Sequence, residues 1–110
     1  MEELIKAGKL HPSMTFSQKV WALTARIPRG RVTSYSAIAG ALGVKANRAV
    51  GAALGRNPYA PEVPCHRVVG ATGRLTGFAQ GLPKKEKMLR AEGIELRDGR
   101  VVAEMWKVKR

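Results

Sequence analysis

The stretch SYSAIAGALGVKANRAVGAAL, residues 34–54, holds two short helical patterns separated by Gly43. Ser34 or Ser36 can cap the first, which carries Ile38, Ala39 and Leu42 on one face. The second runs from Lys45 to Leu54, turns Val50 and Leu54 inward, and is slim because Ala49, Gly51, Ala52 and Ala53 are small. Two short helices joined by a tight glycine-containing connection, the second carrying Arg48, read as a helix-turn-helix; the plainer alternative is an ordinary helical hairpin.

Upstream, Thr15 followed by Gln18 is a capping-box pattern that opens a helix with Phe16, Val20, Trp21, Leu23 and Ile27 on its apolar stripe, ending before Pro28. Residues 1–14 contain Gly8 and Pro12 with weak periodicity and read as a loosely ordered N-terminal arm. Val32, Thr33 and Tyr35 favour a short extended piece. Downstream, RNPYAPEVP at 56–64 has three prolines and reads as an ordered, non-helical loop. The segment GATGRLTGFAQGLP, residues 70–83, has four glycines and reads as a tightly turned loop able to approach a ligand closely. Pro83 opens a last helix with Lys84, Lys85, Lys87 and Arg90 on its exposed side, Met88 and Leu89 inside, and Gly93 as its stop. Ile94–Leu96 and Val101–Met105 flank Asp98-Gly99, a hairpin signal.

The chain has 110 residues, 20 Lys+Arg against 8 Asp+Glu, and a net charge of +12, with 45% hydrophobic residues. This length supports one modest core, and the apolar content is that of a folded chain. Polyphosphate is the commonest partner of a small basic domain, so nucleic acid leads, ahead of a solvated charged face and of an anionic membrane surface. No apolar run approaches the ~18 residues of a membrane span, and the charged N-terminus lacks a signal-peptide core. A soluble, non-exported, cytoplasmic protein with no membrane association is expected, nucleoid-associated, or nuclear if the source is eukaryotic. One cysteine, Cys65, permits neither an intrachain disulfide nor a cysteine-built metal site, and no metal or other cofactor is expected.

A lone cysteine is most often a small buried hydrophobe. Here Pro64 precedes it and His66 and Arg67 follow, between a proline-rich and a glycine-rich loop. A thiol is mostly protonated at neutral pH, so a nucleophilic sulfur needs a base or cations beside it; His66 can be the base. A carboxylate would be needed to orient the imidazole, and Glu92 and Glu62 are the candidates.

Pro64-Cys-His-Arg-Val-Val69, preceded by Asn47-Arg-Ala-Val-Gly51 and Asn57-Pro58 and followed by Gly77-Phe78 and Glu92-Gly93, resembles the DNA-binding domain of the O⁶-alkylguanine-DNA alkyltransferases. The resemblance spans roughly residues 15 to 96. It implies a one-way transfer in which Cys65 attacks the alkyl carbon of a damaged guanine and keeps the group as a thioether. His66 would take the thiol proton through a water molecule, Glu92 would orient His66, and Asn57 would brace the turn. Tyr35 would donate to the guanine N3 as the base leaves. Arg48 would enter the base stack and hold the gap left by the flipped nucleotide. Ala49 and Gly51 would let the helix lie close to the minor groove, with Lys45, Arg56, Arg74, Lys84 and Lys85 as phosphate contacts. Val68, Phe78, Ala79 and Ala60 would line the substrate pocket.

Each of these has a plainer reading: His66 a satisfied structural histidine, Tyr35 a core aromatic, Glu92 a surface acid, Arg48 a phosphate contact. Family members often carry an additional N-terminal domain, and here only the arm precedes Thr15. Phe78 stands where many relatives have tyrosine, Ala79 where some have serine, and Ala60 where some have proline. Alkyltransferase-like lesion sensors are similarly short and place tryptophan or alanine at the cysteine position; Cys65 argues against that alternative. A redox-sensing thiol protein would not account for Arg48 or the charge. The expected protein is therefore mainly α, a winged-helix-like helix-turn-helix domain over residues 15–110 with a small β-hairpin. It would act as a monomer on double-stranded DNA containing O⁶-alkylguanine, with other repair proteins as further partners.

Overall fold

The computed structural model describes residues 1–78 and 80–110. Thr15 and Gln18 close the expected capping box: the Thr15 hydroxyl accepts from the Gln18 amide, and the Gln18 side chain accepts from the Thr15 amide. The helix they open, α2 (Phe16–Ala25), buries Val20, Ala22, Leu23 and Thr24. A two-residue strand, β1 (Thr33–Ser34), follows, and Ser34 rather than Ser36 caps α3 (Tyr35–Ala41), accepting from the Ala37 amide at 3.0 Å. Gly43, at φ +73, turns the chain into α4 (Asn47–Gly55). The helix-turn-helix is thus formed, with α4 starting two residues later than the sequence pattern suggests.

The first core cluster joins these helices: Val20, Leu23 and Ile27 from α2 and its exit meet Ile38, Ala39, Val50, Ala53, Leu54 and Val68. Trp21 adds a hydrogen bond from its indole Nε1 to the Ala53 carbonyl at 2.7 Å, tying α2 to α4. A 3₁₀ turn (Cys65–Arg67) leads into β2 (Val68–Val69), which pairs in parallel with β1, Thr33 opposite Val68.

The wing is the remainder. α5 (Leu82–Ala91) precedes β3 (Leu96–Arg97) and β4 (Arg100–Val101), an antiparallel hairpin whose turn residues Asp98 and Gly99 both have positive φ, as the Asp-Gly pair requires. Val32, Val69, Leu75, Leu89, Ile94, Leu96 and Val101 fill its core. Gly73, at φ +87, admits no side chain, because a Cβ there would lie 2.7 Å from the Val101 carbonyl oxygen.

Two larger features differ from the sequence reading, beside the later start of α4 and the place of Tyr35 in α3 rather than in the extended piece. Residues 1–14 are not a loose arm: α1 (Glu2–Lys6) packs on α2, with Ile5 fully buried. Ile5 and Met14 meet Ala22 and Val63, and Lys6 reaches Glu62 at 3.2 Å, so this segment props the loop that delivers Cys65. Burial of Ile5 alone contributes about 2 kcal/mol. The second feature is Lys85, expected on the exposed face of α5 and as a phosphate contact. It is 0% exposed. It stands four residues before Leu89 and therefore shares that residue's inward face.

The tail after β4 also folds back. The Trp106 amide donates to the Val32 carbonyl at 2.7 Å, and its carbonyl accepts from the Thr33 hydroxyl at 2.8 Å. Arg26 grips both ends of the chain, donating from Nε to the Gly8 carbonyl and from Nη1 to the Lys109 carbonyl. No helix of the described residues is long and apolar enough to cross a membrane.

Candidate active site and nucleic-acid interface

The prolines and Asn57 shape the loop that presents Cys65. Asn57 donates from Nδ2 to the Val63 carbonyl at 2.8 Å and accepts from the Tyr59 amide at 2.9 Å, closing the turn from both sides. Cys65 follows as a free, half-buried thiol at the start of the 3₁₀ turn. It lines a small cavity of about 60 Å³ with Tyr35, Asn57, Ala60 and Phe78, together with Leu54, Gly55, Gly77 and Gln80. Ala79 lies outside the described residues. Val68, expected on the pocket wall, has its side chain fully buried in the core, and its carbonyl is taken by Lys85.

Behind the sulfur lies a charge network. His66 is 3% exposed, and its Nε2 is 3.0 Å from Glu92 Oε2. Arg67 holds the same carboxylate with two parallel bonds, Nε to Oε1 at 2.9 Å and Nη2 to Oε2 at 2.8 Å, and spends Nη1 on the Ile27 carbonyl. Glu92, the C-cap of α5, is thereby chosen over Glu62, which pairs with Lys6.

Burial alone would raise the Glu92 carboxyl. The hydrogen bonds from Arg67 and His66 outweigh it and hold the group at about 2. Burial also pushes the His66 imidazole below its ordinary value, with Arg67 and Lys85 adding to the effect and Glu92 opposing it. His66 is therefore neutral at pH 7 beside an ionised carboxylate. A carboxylate can only accept, so the ring proton sits on Nε2 and Nδ1 is left as the free acceptor, the form a general base requires.

The sequence reading missed two members of this site. Arg67 is half-buried and organises the carboxylate; its position in the Cys-His-Arg run was the available signal. Lys85 sends its ammonium under the cavity, donating to Val68 O at 2.6 Å, Thr76 O at 2.9 Å and the Tyr35 oxygen at 3.4 Å. It also faces the rings of Tyr35 and Phe78 at 5.7 and 5.8 Å. Burial pushes it down to about 8, against an opposing attraction from Cys65. The Tyr35 phenol is raised above its ordinary value, chiefly by burial, and donates to the Thr76 carbonyl at 3.0 Å.

Next to the cavity runs a groove of about 360 Å³ lined by Tyr35, Ser36, Asn47, Arg48, Gly51, Gly70, Ala71, Thr76 and Gly77. Tyr35 and Gly77 border both spaces. Lys45, Arg48 and Ala49 are exposed at the start of α4, and Gly51 lies under the Tyr35 ring, where a Cβ would sit 3.9 Å from it. Arg56, also exposed, reaches sideways to the Ser17 hydroxyl at 3.3 Å. Arg74 and Lys84 are exposed on the wing and α5.

Comparison with known proteins bears on this arrangement. A methylated-DNA–protein-cysteine methyltransferase of Methanosarcina acetivorans is 52% identical over 87 residues, 77% of this chain and 56% of that protein. The protein of the same description from Salmonella typhimurium is 51% identical over 82 residues, 74% of this chain and 48% of its own. The chain spans about half the length of these curated relatives. Among solved structures, Mycobacterium tuberculosis OGT in complex with DNA superposes with a TM-score of 0.69 at 41% identity, covering 83% of this chain and 62% of that one. S. pombe Atl1, in complex with damaged DNA containing O6-carboxymethylguanine, gives a TM-score of 0.72 at 29% identity, covering 84% and 94%. The model of the 6-O-methylguanine DNA methyltransferase DNA-binding domain matches residues 15–94, and the chain belongs to that family.

Proposed function

We infer that this domain binds duplex DNA, turns an O⁶-alkylguanine out of the stack into the Cys65 cavity, and transfers the alkyl group irreversibly to its own sulfur. The observation that carries this reading is that the free Cys65 thiol and the Tyr35 phenol line one cavity beside the Arg48 groove, with a neutral His66 tied to an ionised Glu92 next in the chain to the sulfur. The thiol proton passes to Nδ1 of His66 through a water molecule. The sulfur lone pair then forms an S–C bond as the C–O6 bond breaks, and the departing electron pair is absorbed by the guanine ring, which takes a proton at N3 from Tyr35. The product thioether has no route back, so each molecule reacts once.

Arg48 is exposed where α4 begins and would occupy the vacated base position, while Lys45 and other surface cations would contact phosphates. Residues 15–110 carry the transfer chemistry in this reading, with α1 supporting the Cys65 loop, and act as a monomer where the chromosome lies, with other repair proteins as later partners. Arg48→Ala is expected to slow repair in duplex by about tenfold to a hundredfold, the cost of an unsupported flipped base. Reaction with the free alkylated base should change by less than about twofold. Equal slowing of both would remove the stack-filling role.

Intact-mass measurement after incubation with a duplex carrying one O⁶-methylguanine tests the whole reading. A stoichiometric gain of one methylene on Cys65, absent with undamaged DNA, is the expected result. Damage-dependent binding without mass gain would favour a lesion sensor, the reading supported by the structural likeness to S. pombe Atl1 in complex with damaged DNA, at a TM-score of 0.72.

A further inference from the structure

The transfer chemistry leaves the run Trp106-Lys-Val-Lys-Arg110 without a task. Burial alternates along it: Trp106 and Val108 pack against the first core cluster, whereas Lys107 and Lys109 are exposed. The backbone beneath these side chains is pinned. Met105 bridges Val32 in parallel, the Trp106 amide donates to the Val32 carbonyl at 2.7 Å, and the Thr33 hydroxyl donates to the Trp106 carbonyl at 2.8 Å.

Between this tail and the exit of α2 lies a groove of about 630 Å³, to which Arg26, Arg31, Lys107 and Lys109 bring four cations and Glu104 one carboxylate. None of the five has an ion pair among the described residues. Arg26 spends Nε and Nη1 on the Gly8 and Lys109 carbonyls, neutral acceptors that leave its charge uncompensated. The Arg31 amide donates to the Pro28 carbonyl at 3.1 Å, which closes the turn that carries its side chain. Trp106 borders the same groove. The indole N–H of Trp21 is taken by the Ala53 carbonyl. Among the described residues the Trp106 Nε1–H has no acceptor, and no buried side-chain polar atom is left unsatisfied, so that N–H opens to water.

We propose that this groove is a second nucleic-acid surface that takes an unpaired strand, with phosphates against Arg31, Lys107 and Lys109 and a base at the Trp106 indole. Cations without counter-ions around a concavity attract a polyanion. The half-buried indole adds a donor and an aromatic surface, the pair of features with which single-strand sites hold bases. A base offers its face and edge to a side chain only once it is out of the stack, which favours a single strand over a duplex. An acidic peptide would match the cations but has no base to set against the indole. The groove shares no lining residue with the Arg48 groove, so filling one leaves the contacts of the other free. The proposal goes beyond the alkyl-transfer reading and does not depend on it.

The decisive experiment adds a short single-stranded oligothymidylate to the unmodified, ¹⁵N-labelled chain and follows the two indole N–H resonances, with Trp106→Phe to assign them. The Trp106 resonance should shift and that of Trp21, bonded inside the fold, should stay. A Trp106 resonance that does not move makes the tail a solvated charged face and overturns the proposal. An equal shift with an undamaged duplex of the same length would make the groove part of the duplex-binding face, and an equal shift with an oligoglutamate of matched charge would make it a site for acidic peptides; either result also overturns it. In parallel, Lys107→Glu combined with Lys109→Glu should weaken oligothymidylate binding by about tenfold while circular dichroism stays native. Both side chains are exposed, and Lys109 meets Arg26 through its carbonyl, so the fold should survive the exchange. Unchanged affinity in that variant would overturn the proposal, and if the variant fails to fold the resonances of the unmodified chain still decide. Neither readout involves Cys65 or a damaged base, so failure of alkyl transfer and failure of the strand site are separate results.

Discussion

Cys65→Ser is expected to abolish alkyl transfer and leave DNA affinity within about twofold, because the substitution removes the nucleophile and almost nothing else. A serine hydroxyl fits where a half-buried thiol sat, and the turn around it is held by Asn57 and by the Cys65 and Arg67 amides, which bond to Val63 and Pro64 carbonyls at 2.9 Å. The fold should therefore survive, with a melting shift of only about 2 °C. The chemistry should not, because a neutral imidazole cannot generate enough alkoxide at neutral pH to replace a thiolate. Mass spectrometry for transfer and fluorescence anisotropy for affinity read the two quantities separately. Residual transfer in the serine variant would assign the acceptor to another residue, and loss of affinity in a folded variant would make the sulfur part of the binding surface.

Glu92→Gln should have the largest effect on stability. Glu92 is 8% exposed and is, among the described residues, the sole counter-ion of Arg67, whose side chain is 15% exposed. Removing one partner of a buried pair leaves the other charge uncompensated, at a cost of about 3 kcal/mol, or a melting point lower by roughly 10 °C or more. The pH dependence carries a sign that can be checked. The Glu92 carboxyl is near 2 in the fold against an ordinary 4.5, so the unfolded chain binds the proton first. Its contribution is complete above about 4.5 and is lost as pH falls towards 2. His66 is also depressed, and the unfolded chain takes up that proton as pH falls below 6.5. Unfolding by urea from pH 7 to pH 3 should therefore show the parent chain losing stability throughout, and its advantage over Glu92→Gln shrinking below about pH 4.5. Parallel curves would mean that the carboxylate is not ionised in the fold. The same variant should slow transfer, because a neutral amide no longer holds the His66 proton on Nε2.

The parts legible in the sequence are those governed by near neighbours. Thr15 and Gln18 are three apart and closed their box; Asp98-Gly99 carries its turn in its own dihedral preferences. The helix-turn-helix followed from spacing around Gly43. The parallel pairing of Thr33 with Val68 brings together segments far apart in the chain, and two-residue strands leave no periodic trace. α1 leaves almost no trace in the sequence because a five-residue helix has one buried contact residue, Ile5, and its stability comes from α2 rather than from itself. Charge alone puts Lys85 in solvent, whereas its register four residues before Leu89 turns it inward. In the site, Cys65, His66 and Tyr35 were identified by type and by resemblance, whereas the Arg67 grip on Glu92 depends on α5 ending where it does.

Arg26 makes the fold a ring rather than a line. One guanidinium holds the Gly8 and Lys109 carbonyls, so the two ends of the chain share a single knot. Gly8 takes Nε and Lys109 takes Nη1 of the same side chain, so a displacement of Arg26 releases both contacts at once. The segment that props the Cys65 loop is held at Gly8 by the same side chain, which links the stretch around Lys109 to the support beneath the reactive loop.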